Sequence, residues 1–252
     1  MPEISIITPS LNSSAMIADC LRSVAQQTVS AQHTVIDGFS TDGTLEAIRE
    51  SGADVEVVRE PPTGIYPAIN SGIRASSGDI VGSLNADDFY ASPDVLENVA
   101  AVFENTSIEA CYGDLCYVDQ NDPSRIVRYW RAGEYRQGRF RHGWMPPHPT
   151  FFVRRRVYQQ FGYYRADLGT AADYELMLRF LLRHGVNVVY LPQVLVNMRT
   201  GGASNVSLKA RLDANKMDRR AWMVNDLHPW PWTTIVKPLR KIGQWWSKPV
   251  GS

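Results

Sequence analysis

The sequence contains few cysteines, and these form no recognisable pattern. Three occur in 252 residues, at Cys20, Cys111 and Cys116, and their spacing matches neither a metal-binding motif nor a disulfide framework. A sparse, odd number of cysteines is typical of a reducing compartment, where such thiols are small buried side chains. We therefore expect a cytoplasmic protein.

Long apolar runs and a leader-like N-terminus are also missing. No run approaches the roughly 20 apolar residues that a membrane-spanning helix needs. The chain enters the apolar segment Ile4–Thr8 with neither a basic region nor a cleavage site before it. These absences predict a soluble protein, or one attached peripherally at the inner face of the membrane.

The turn after the first apolar segment, Pro9–Asn12, lacks three glycine-rich signatures. It has no Gly-x-Gly-x-x-Gly fingerprint, which argues against a nicotinamide or flavin enzyme, and no phosphate loop ending in Gly-Lys-Ser/Thr. It also lacks the glycine-rich, arginine-containing loop of sugar nucleotidyltransferases. An enzyme of that last class is therefore disfavoured, although it remains a competing interpretation.

Charge is unevenly distributed along the chain, although the net charge is zero. Residues 1–124 hold 4 Lys/Arg and 19 Asp/Glu, and residues 125–252 hold 22 and 7, so the two halves carry −15 and +15. An acidic half can hold a divalent cation, and a basic half can meet phosphates or an anionic membrane surface. The alternative is that both sets of charges are ordinary solvated faces.

Short apolar runs alternate with helical patterns in the first hundred residues. Strands are predicted at Ile4–Thr8, His33–Asp37, Val55–Val58 and Ile80–Leu84. One of the intervening helices has an apolar stripe formed by Ile17, Cys20, Leu21 and Val24. This alternation predicts an α/β fold with a parallel, doubly wound sheet, whose ligands bind beyond the carboxyl ends of the strands.

Beyond residue 105 the alternation is less regular. Three further strands are predicted, at Glu109–Val118, Arg125–Arg131 and Asn187–Leu191. Helices are predicted near Arg155–Phe161 and from about Ala172 to His184. We interpret this half as a continuation of the same domain that builds the acceptor side of a cleft.

Polar clusters follow three of the predicted strands, at Thr8–Asn12, Asp37–Asp42 and Asn85–Asp88. In the last cluster, Asp87 and Asp88 place two adjacent carboxylates at a strand end, where a divalent cation offsets their repulsion. Aspartates in such loops also cap helices, and Ser92-Pro93 begins a helix nearby. The sequence leaves both interpretations open for this pair.

With these clusters and further motifs, the chain resembles the family 2 glycosyltransferases, whose members usually have the nucleotide-sugar-binding GT-A fold. The matching segments cover about 200 of the 252 residues and occur in the family's order. They are residues 5–12, 35–44, 64–66, 68–73, 78–80, 84–88, 148–152, 173–176 and 199–204. The resemblance implies a GT-A-type, Rossmann-like, mostly parallel sheet flanked by helices, with a catalytic domain at 1–207. Residues 1–105 would bind the nucleotide-sugar, and 106–207 would form the acceptor half.

The resemblance also implies roles for individual residues. Asp173 would be the catalytic base, Asp88 would be the principal ligand of Mn²⁺ or Mg²⁺, and Asp87 would lie near the ribose and the metal. Contacts with the nucleotide-sugar are implied for Thr8, Pro9, Asp37, Asn70, Asp87 and Arg199. His148 and Tyr174 would lie on the acceptor side.

Ordinary structural roles remain alternatives for several of these residues. Asp173 stands at the start of a predicted helix, which stabilises a carboxylate and suits a helix cap as well as a base. A lone histidine such as His148 is more often structural. Arg199, next to Gly201-Gly202, is interpreted either as part of a loop that closes over the diphosphate or as a plain surface turn.

Two prolines depart from the family pattern. Pro62 and Pro67 stand where relatives often carry carboxylates, before and after Gly64-Ile65-Tyr66. A proline near the first turn of a helix is sterically acceptable. The fold is therefore expected to survive, but the identity of the nucleotide and the sugar does not follow from the motifs.

The last segment, 208–252, is basic and rich in tryptophan, with 9 Lys/Arg and 3 Asp/Glu. Within it, Ile235–Trp246 has the pattern of an amphipathic helical extension, with cations on one side and tryptophans on the other. Such a helix can lie in a lipid interface, or it can pack against the catalytic domain or a partner subunit.

The resemblance implies an inverting glycosyltransferase of cell-surface polysaccharide synthesis. It would move a sugar from a nucleotide-diphosphate donor, with a UDP-sugar favoured, to a hydroxyl of a glycan or a lipid-linked acceptor. Its partners would be these substrates and an anionic membrane surface met by 208–252, without nucleic acid. The alternatives are a catalytically degenerate scaffold and, less favoured, a sugar nucleotidyltransferase.

Overall fold

The computed structural model describes residues 1–201 and 208–233, and its central feature there is a nine-stranded mixed sheet. The strands are β1 Ile4–Ser10, β2 Gln32–Asp37, β3 Glu56–Arg59, β4 Ile80–Ser83, β5 Phe89–Tyr90, β6 Ala110–Val118, β7 Ile126–Trp130, β8 Phe152–Arg154 and β9 Val188–Arg199. Their order across the sheet is β3-β2-β1-β4-β8-β6-β9-β5, and β7 pairs with β6. No helix of the described residues is long and apolar enough to cross a membrane.

Seven α-helices accompany the sheet in the described residues. They are α1 Ile17–Ala25, α2 Thr44–Glu50, α3 Ile65–Ala75, α4 Val95–Phe103, α5 Arg155–Phe161, α6 Ala172–Met177 and α7 Leu208–Met223. A π-helical segment, Leu178–Arg183, directly continues α6. The helix predicted from about Ala172 to His184 is therefore present, with a change of helical type after its first six residues.

The first half of the sheet has the predicted parallel arrangement. Strands β1, β2, β3 and β4 pair in parallel, so their carboxyl ends lie at one edge. Side chains along β1 alternate between the two faces: Ile4 and Ile6 pack with α1 and α4, whereas Ile7 packs with α3. Helix α3 approaches β1 closely, because a Cβ added to Gly72 would lie 2.4 Å from Cγ2 of Ile7. The α/β fold class is confirmed.

The second half of the sheet is mixed. Strand β6 pairs antiparallel with β7 and β8 but parallel with β9. The short strands β5 and β8 were not predicted, since runs of two and three residues show no periodicity. The predicted strand Asn187–Leu191 extends to Arg199, where the added residues pair with β6 and β5.

Helix α7 is part of the body of the domain at its C-terminal end. Ala221 and Trp222 are fully buried and belong to the same apolar cluster as residues of α3 and α6. Leu227 packs against that cluster. The predicted tail beginning at 208 is therefore not detached in this region, and the amphipathic segment Ile235–Trp246 lies outside the described residues.

Candidate active site

The carboxyl end of β2 places Asp37 in a buried position with one oxygen available. Its carboxylate is fully buried, and its Oδ2 lies 3.3 Å from Nε of Arg59 and accepts a hydrogen bond from the N–H of Ser40 at 3.1 Å. Its Oδ1 and Oγ of Ser10, the register partner of Asp37, have no hydrogen-bond partner among the described residues. Buried polar atoms are normally paired, so these two oxygens are candidates for contact with a ligand.

The loop beside Asp37 contains one of the two unusual prolines. A Cβ added to Gly38 would meet Cβ of Pro62 and Cδ1 of Leu11, both at 3.2 Å. Pro62 thus lies against the backbone next to Asp37. The guanidinium of Arg59 covers the half-exposed ring of Phe39 at 4.9 Å from the ring centroid.

Thr8 and Pro9 lie at this edge, but both are buried and contact other residues of the protein interior. The Thr8 side chain is fully buried, and its Oγ1 is 2.9 Å from Nε2 of His33 and 3.7 Å from Sγ of Cys20 on α1. Pro9 is buried and pairs with Ile36 between β1 and β2. These contacts support a packing role for the Thr8 side chain.

The predicted carboxylate pair follows β4 and differs sharply in exposure. Asp88 is fully buried, with Oδ1 accepting the backbone N–H of Arg199 at 3.3 Å and Oδ2 accepting Nδ2 of Asn85 at 3.2 Å. Burial, and then the neighbouring charge of Asp87, raise the pKa of Asp88 well above its usual value. Asp87 is partly exposed and is therefore the carboxylate of the pair that is open to a ligand.

Arg199 is the last residue of β9, not part of a loop, and it is nearly buried. Its guanidinium donates to the backbone carbonyl of Asp87 at 2.9 Å and to Oδ2 of Asp19 at 2.5 Å, and it lies over the ring of Phe89. These contacts hold the turn that carries Asp87 and Asp88. These contacts support a structural role for the Arg199 side chain, and its contact with a donor stays a prediction.

Asp173, at the first turn of α6, lies in a small pocket with residues from four other parts of the chain. Its Oδ2 is 3.4 Å from Nδ1 of His148, and the side chain of Tyr66 lines the same pocket. Burial, and then the charge of Asp173, raise the pKa of Tyr66. The other pocket residues include Ile65, Ile69, Ser83, Asn85, Pro149 and Tyr164.

This pocket is lined by residues from both predicted halves of the domain. Asn85 begins the carboxylate turn after β4, and His148 and Asp173 come from the predicted acceptor half. Tyr66 and Tyr164 form a stacked pair beside them, with ring centroids 5.4 Å apart. In the sequence, Tyr66 belongs to a motif of the resembled family but has no predicted role. No sequence pattern indicates Tyr164.

Two predicted contact residues face the interior. Asn70 donates from Nδ2 to the carbonyl of Tyr164 at 2.8 Å and accepts the N–H of the same residue at 2.9 Å, so its amide fixes the loop that carries Tyr164. Tyr174 is almost fully buried, and its hydroxyl accepts a hydrogen bond from Nε1 of Trp222 at 2.9 Å. These geometries support positioning roles for both residues.

Comparison with known proteins shows the family of this chain. Residues 5–162 match the family model described as "Glycosyl transferase family 2". The chain belongs to this family. Asp37, Asp87 and Asp88, from the predicted nucleotide-sugar-binding half, fall within the matched region. Asp173 and α7 fall beyond it.

Relatives by sequence include a PGL/p-HBAD biosynthesis glycosyltransferase of Mycobacterium bovis. It is 29% identical over 211 residues, which are 81% of this chain and 80% of the relative. The chondroitin synthase of Pasteurella multocida is 28% identical over 71% of this chain, but the matched part is only 19% of that protein.

Solved structures share the fold at low identity. S. aureus TarS 1-349 in complex with UDP-GlcNAc is 17% identical with a TM-score of 0.67, over 88% of this chain and 66% of TarS 1-349. A longer TarS structure is covered over only 39% of its length. The Pyrobaculum calidifontis mannosyltransferase PcManGT, in complex with GDP-Man and Mn²⁺, is also 17% identical, with a TM-score of 0.65 over 95% of this chain and 69% of its own.

Proposed function

We propose that this glycosyltransferase transfers a sugar from a nucleoside-diphosphate donor to an acceptor hydroxyl, with inversion at the anomeric carbon. The acceptor class is a glycan or a lipid-linked sugar of cell-surface polysaccharide synthesis. The observation that carries the proposal is the shared pocket of Asn85 and Asp173. The pocket brings the end of β4, where we place the donor site, next to a carboxylate that is suited to act as a base.

Asp173 is the proposed base because its carboxylate faces the pocket. The acceptor hydroxyl gives its proton to Asp173, and its oxygen forms the new bond to C1 of the donor sugar. The bond between C1 and the diphosphate oxygen breaks, and the electron pair leaves with the nucleoside diphosphate. Attack from the face opposite the diphosphate gives inversion. His148, whose Nδ1 lies 3.4 Å from Oδ2 of Asp173, fixes the direction of the carboxylate, and Tyr66 lines the pocket beside it.

A divalent cation fits the chemistry of the Asp87-Asp88 turn. Burial and the charge of Asp87 raise the pKa of Asp88, and a cation bound at this turn would offset both effects. No cluster of three or more His, Cys, Asp or Glu side chains suited to a metal occurs in residues 1–201 and 208–233. Mg²⁺ and related ions often use one or two carboxylates plus substrate phosphates. We infer that Asp87 is the more accessible ligand and that Asp88 supports it.

A bound Mn²⁺ or Mg²⁺ would supply charge stabilisation for the leaving diphosphate. The donor base would lie at the carboxyl end of β2, where Asp37 Oδ1 and Ser10 Oγ are the unpaired buried oxygens. The TarS complexes contain UDP and UDP-GlcNAc, and the mannosyltransferase complex contains GDP-Man with Mn²⁺. These complexes support UDP as the first nucleotide to test and GDP as the second.

A thermal-shift titration with UDP, GDP, dTDP and CMP, each with and without Mn²⁺, tests the donor site. A ligand that binds only the native state raises its apparent stability. We expect one nucleotide to stabilise the protein in a Mn²⁺-dependent manner, and Asp37→Asn to weaken that effect. Asp54→Asn, at an exposed carboxylate, is the matched control. No shift with any nucleotide, from folded protein at millimolar ligand, would favour the scaffold interpretation instead.

We propose in addition that the C-terminal segment meets an anionic membrane surface. Trp230 and Trp232 are 41% and 50% exposed and lie 5.4 Å apart by their ring centroids, and the ring of Trp230 meets His142 edge-on. Lys237, Arg240 and Lys241 follow in the sequence. Tryptophan favours the headgroup level of a bilayer, and cations favour anionic lipids.

Vesicle co-sedimentation tests this second proposal. The full chain is expected to bind vesicles of phosphatidylglycerol and phosphatidylcholine, and to bind them less in high salt. A Trp230→Ser, Trp232→Ser variant should bind more weakly. Equal recovery of wild type and variant in the supernatant would contradict membrane attachment through these residues.

A further inference from the structure

Helix α7 is hydrogen-bonded to the first turn of α6 at two successive residues. Nε1 of Trp222 donates to the hydroxyl of Tyr174 at 2.9 Å, and Nδ2 of Asn225, just beyond α7, donates to Oε1 of Glu175 at 3.1 Å. Trp222 is fully buried and Asn225 is 1% exposed. Tyr174 and Glu175 are the two residues that directly follow Asp173, so these contacts act immediately beside the proposed base.

The first turn of α6 has little local support of its own. The residue that precedes the helix, Ala171, offers no side-chain cap for the free N–H groups, and such caps are the usual way to stabilise a helix start. Helix α6 spans only six residues before the π-helical segment. Short helices depend on tertiary packing, so the direction of the Asp173 side chain depends on what holds Tyr174 and Glu175.

Glu175 is held from a second side as well. Its two carboxylate oxygens accept Nε and Nη2 of Arg179 at 2.9 and 3.0 Å. Arg179 in turn donates to the carbonyls of Phe161 and Tyr163. The turn that carries Asp173 is thus clamped between the segment after α5 and the segment at the end of α7.

We propose that Trp222 and Asn225 are positioning residues for the glycosyl transfer. Through Tyr174 and Glu175 they hold Asp173 in the geometry that faces Tyr66 and His148 in the pocket. This inference rests on the proposed function of Asp173 as the base. It makes the end of α7 a part of the catalytic apparatus, although this helix lies beyond the family-matched residues 5–162.

The test compares Tyr174→Phe, which removes only the hydroxyl, and Trp222→Phe, which removes the indole donor and part of the ring system, with the double variant and with wild type. Each single variant removes one partner of the hydrogen bond and keeps most of the packing volume. Tyr112→Phe is the matched control, because this buried tyrosine also makes one hydroxyl contact, to the carbonyl of Gly133 at 2.8 Å. Three quantities are measured. They are the release of nucleoside diphosphate from a sugar donor that carries the stabilising nucleotide, the melting temperature, and the nucleotide-induced stabilisation.

We expect kcat to fall roughly tenfold in both single variants, since small displacements of a reacting group reduce rates strongly. The kcat of the double variant should be no lower than that of the less active single variant, because both substitutions remove the same interaction. The donor KM and the nucleotide-induced stabilisation should stay at wild-type values, and Tyr112→Phe should keep its kcat. If Trp222→Phe does not fold, Tyr174→Phe and Asn225→Ser decide the question by the same readouts.

Two outcomes overturn the inference, and they are distinguishable. A lower melting temperature with unchanged kcat, measured well below the transition, would show that the contact is only structural. Asp173→Asn provides the reference for the proposed function. If that variant retained kcat, the base assignment would fail and this inference with it. If Asp173→Asn were inactive while Tyr174→Phe and Trp222→Phe were fully active, only the positioning role would fail.

Discussion

Nδ1 of His148 lies 3.4 Å from Oδ2 of Asp173, and the two side chains reach each other from elements that are 25 residues apart in the sequence. His148 begins a short 3-10 helix, and Asp173 is the second residue of α6. Both side chains line the pocket that Asn85 also lines. The imidazole and the carboxylate thus stand together at the point where the predicted donor and acceptor halves meet.

Loss of the Asp173 carboxylate should remove catalysis and spare donor binding. We expect Asp173→Asn to reduce kcat by about 10²-fold or more, which is the range for a general base. Stabilisation by the nucleotide should be unchanged, since Asp37 and the Asp87-Asp88 turn are intact. Donor turnover measured by nucleoside diphosphate release checks the first part, and thermal shift checks the second. A variant with wild-type turnover would exclude Asp173 as the base.

The Asp87-Asp88 turn should account for the cation dependence of donor binding. In Asp87→Asn and in Asp88→Asn, we expect the Mn²⁺-dependent part of the nucleotide-induced stabilisation to disappear. The nucleotide-induced stabilisation that is measured without Mn²⁺ should remain. Asp54→Asn, at an exposed carboxylate before β3, serves as the control. A Mn²⁺ effect that survives in both variants would place the cation elsewhere.

Asp37 should contribute directly to nucleotide affinity. Replacement by Asn removes the charge next to the unpaired Oδ1 position, and a hydrogen bond to a charged group contributes about 1.5–3 kcal/mol. We therefore expect affinity for the stabilising nucleotide to fall roughly 10- to 100-fold. Isothermal titration of wild type and Asp37→Asn measures this change. Equal affinities would show that the nucleotide does not contact this carboxylate.

The buried His33 should make stability depend on pH. Burial lowers the pKa of His33 from 6.5 to about 4, so between these values the unfolded chain binds more protons than the native protein. Stability contributed by the neutral imidazole is therefore fully present above about pH 6.5 and is lost as the pH falls towards 4, by up to about 3 kcal/mol.

Urea denaturation at several pH values tests this dependence. The stability difference between wild type and His33→Gln should change between pH 6.5 and 4, because the glutamine does not titrate. His228→Gln, at an exposed histidine, should track wild type. Parallel pH profiles for wild type and His33→Gln would contradict the assignment.

The Glu175–Arg179 pair should be essential to the fold. Arg179→Met leaves the buried carboxylate of Glu175 without its main partner, and breaking such a pair destabilises by roughly 3–5 kcal/mol. By contrast, the pair between Arg183 and Asp226 is partly exposed, so Arg183→Met should cost less than about 1 kcal/mol. Chemical denaturation of both variants makes the comparison, and equal losses would contradict it.

Several site residues could be predicted from the sequence because strand ends are visible in it. Asp37 and Asp87 each follow an apolar run, and in a parallel sheet the carboxyl ends of strands meet at one edge. The resemblance to family 2 glycosyltransferases added Asp173 and His148, which no local pattern links to β4. Their approach within one pocket depends on the sheet order and could not be derived from spacing.

What the sequence by itself determined is the α/β class, the parallel first half and the acidic turns at its edge, because apolar periodicity is local information. Only the tertiary structure decided how the side chains at those positions are used. It turned Thr8 towards His33, engaged Arg199 with Asp19, and brought Trp222 to Tyr174 across 48 residues of chain. Such contacts are selected by packing and by the pairing of buried polar groups, which act between segments distant in sequence.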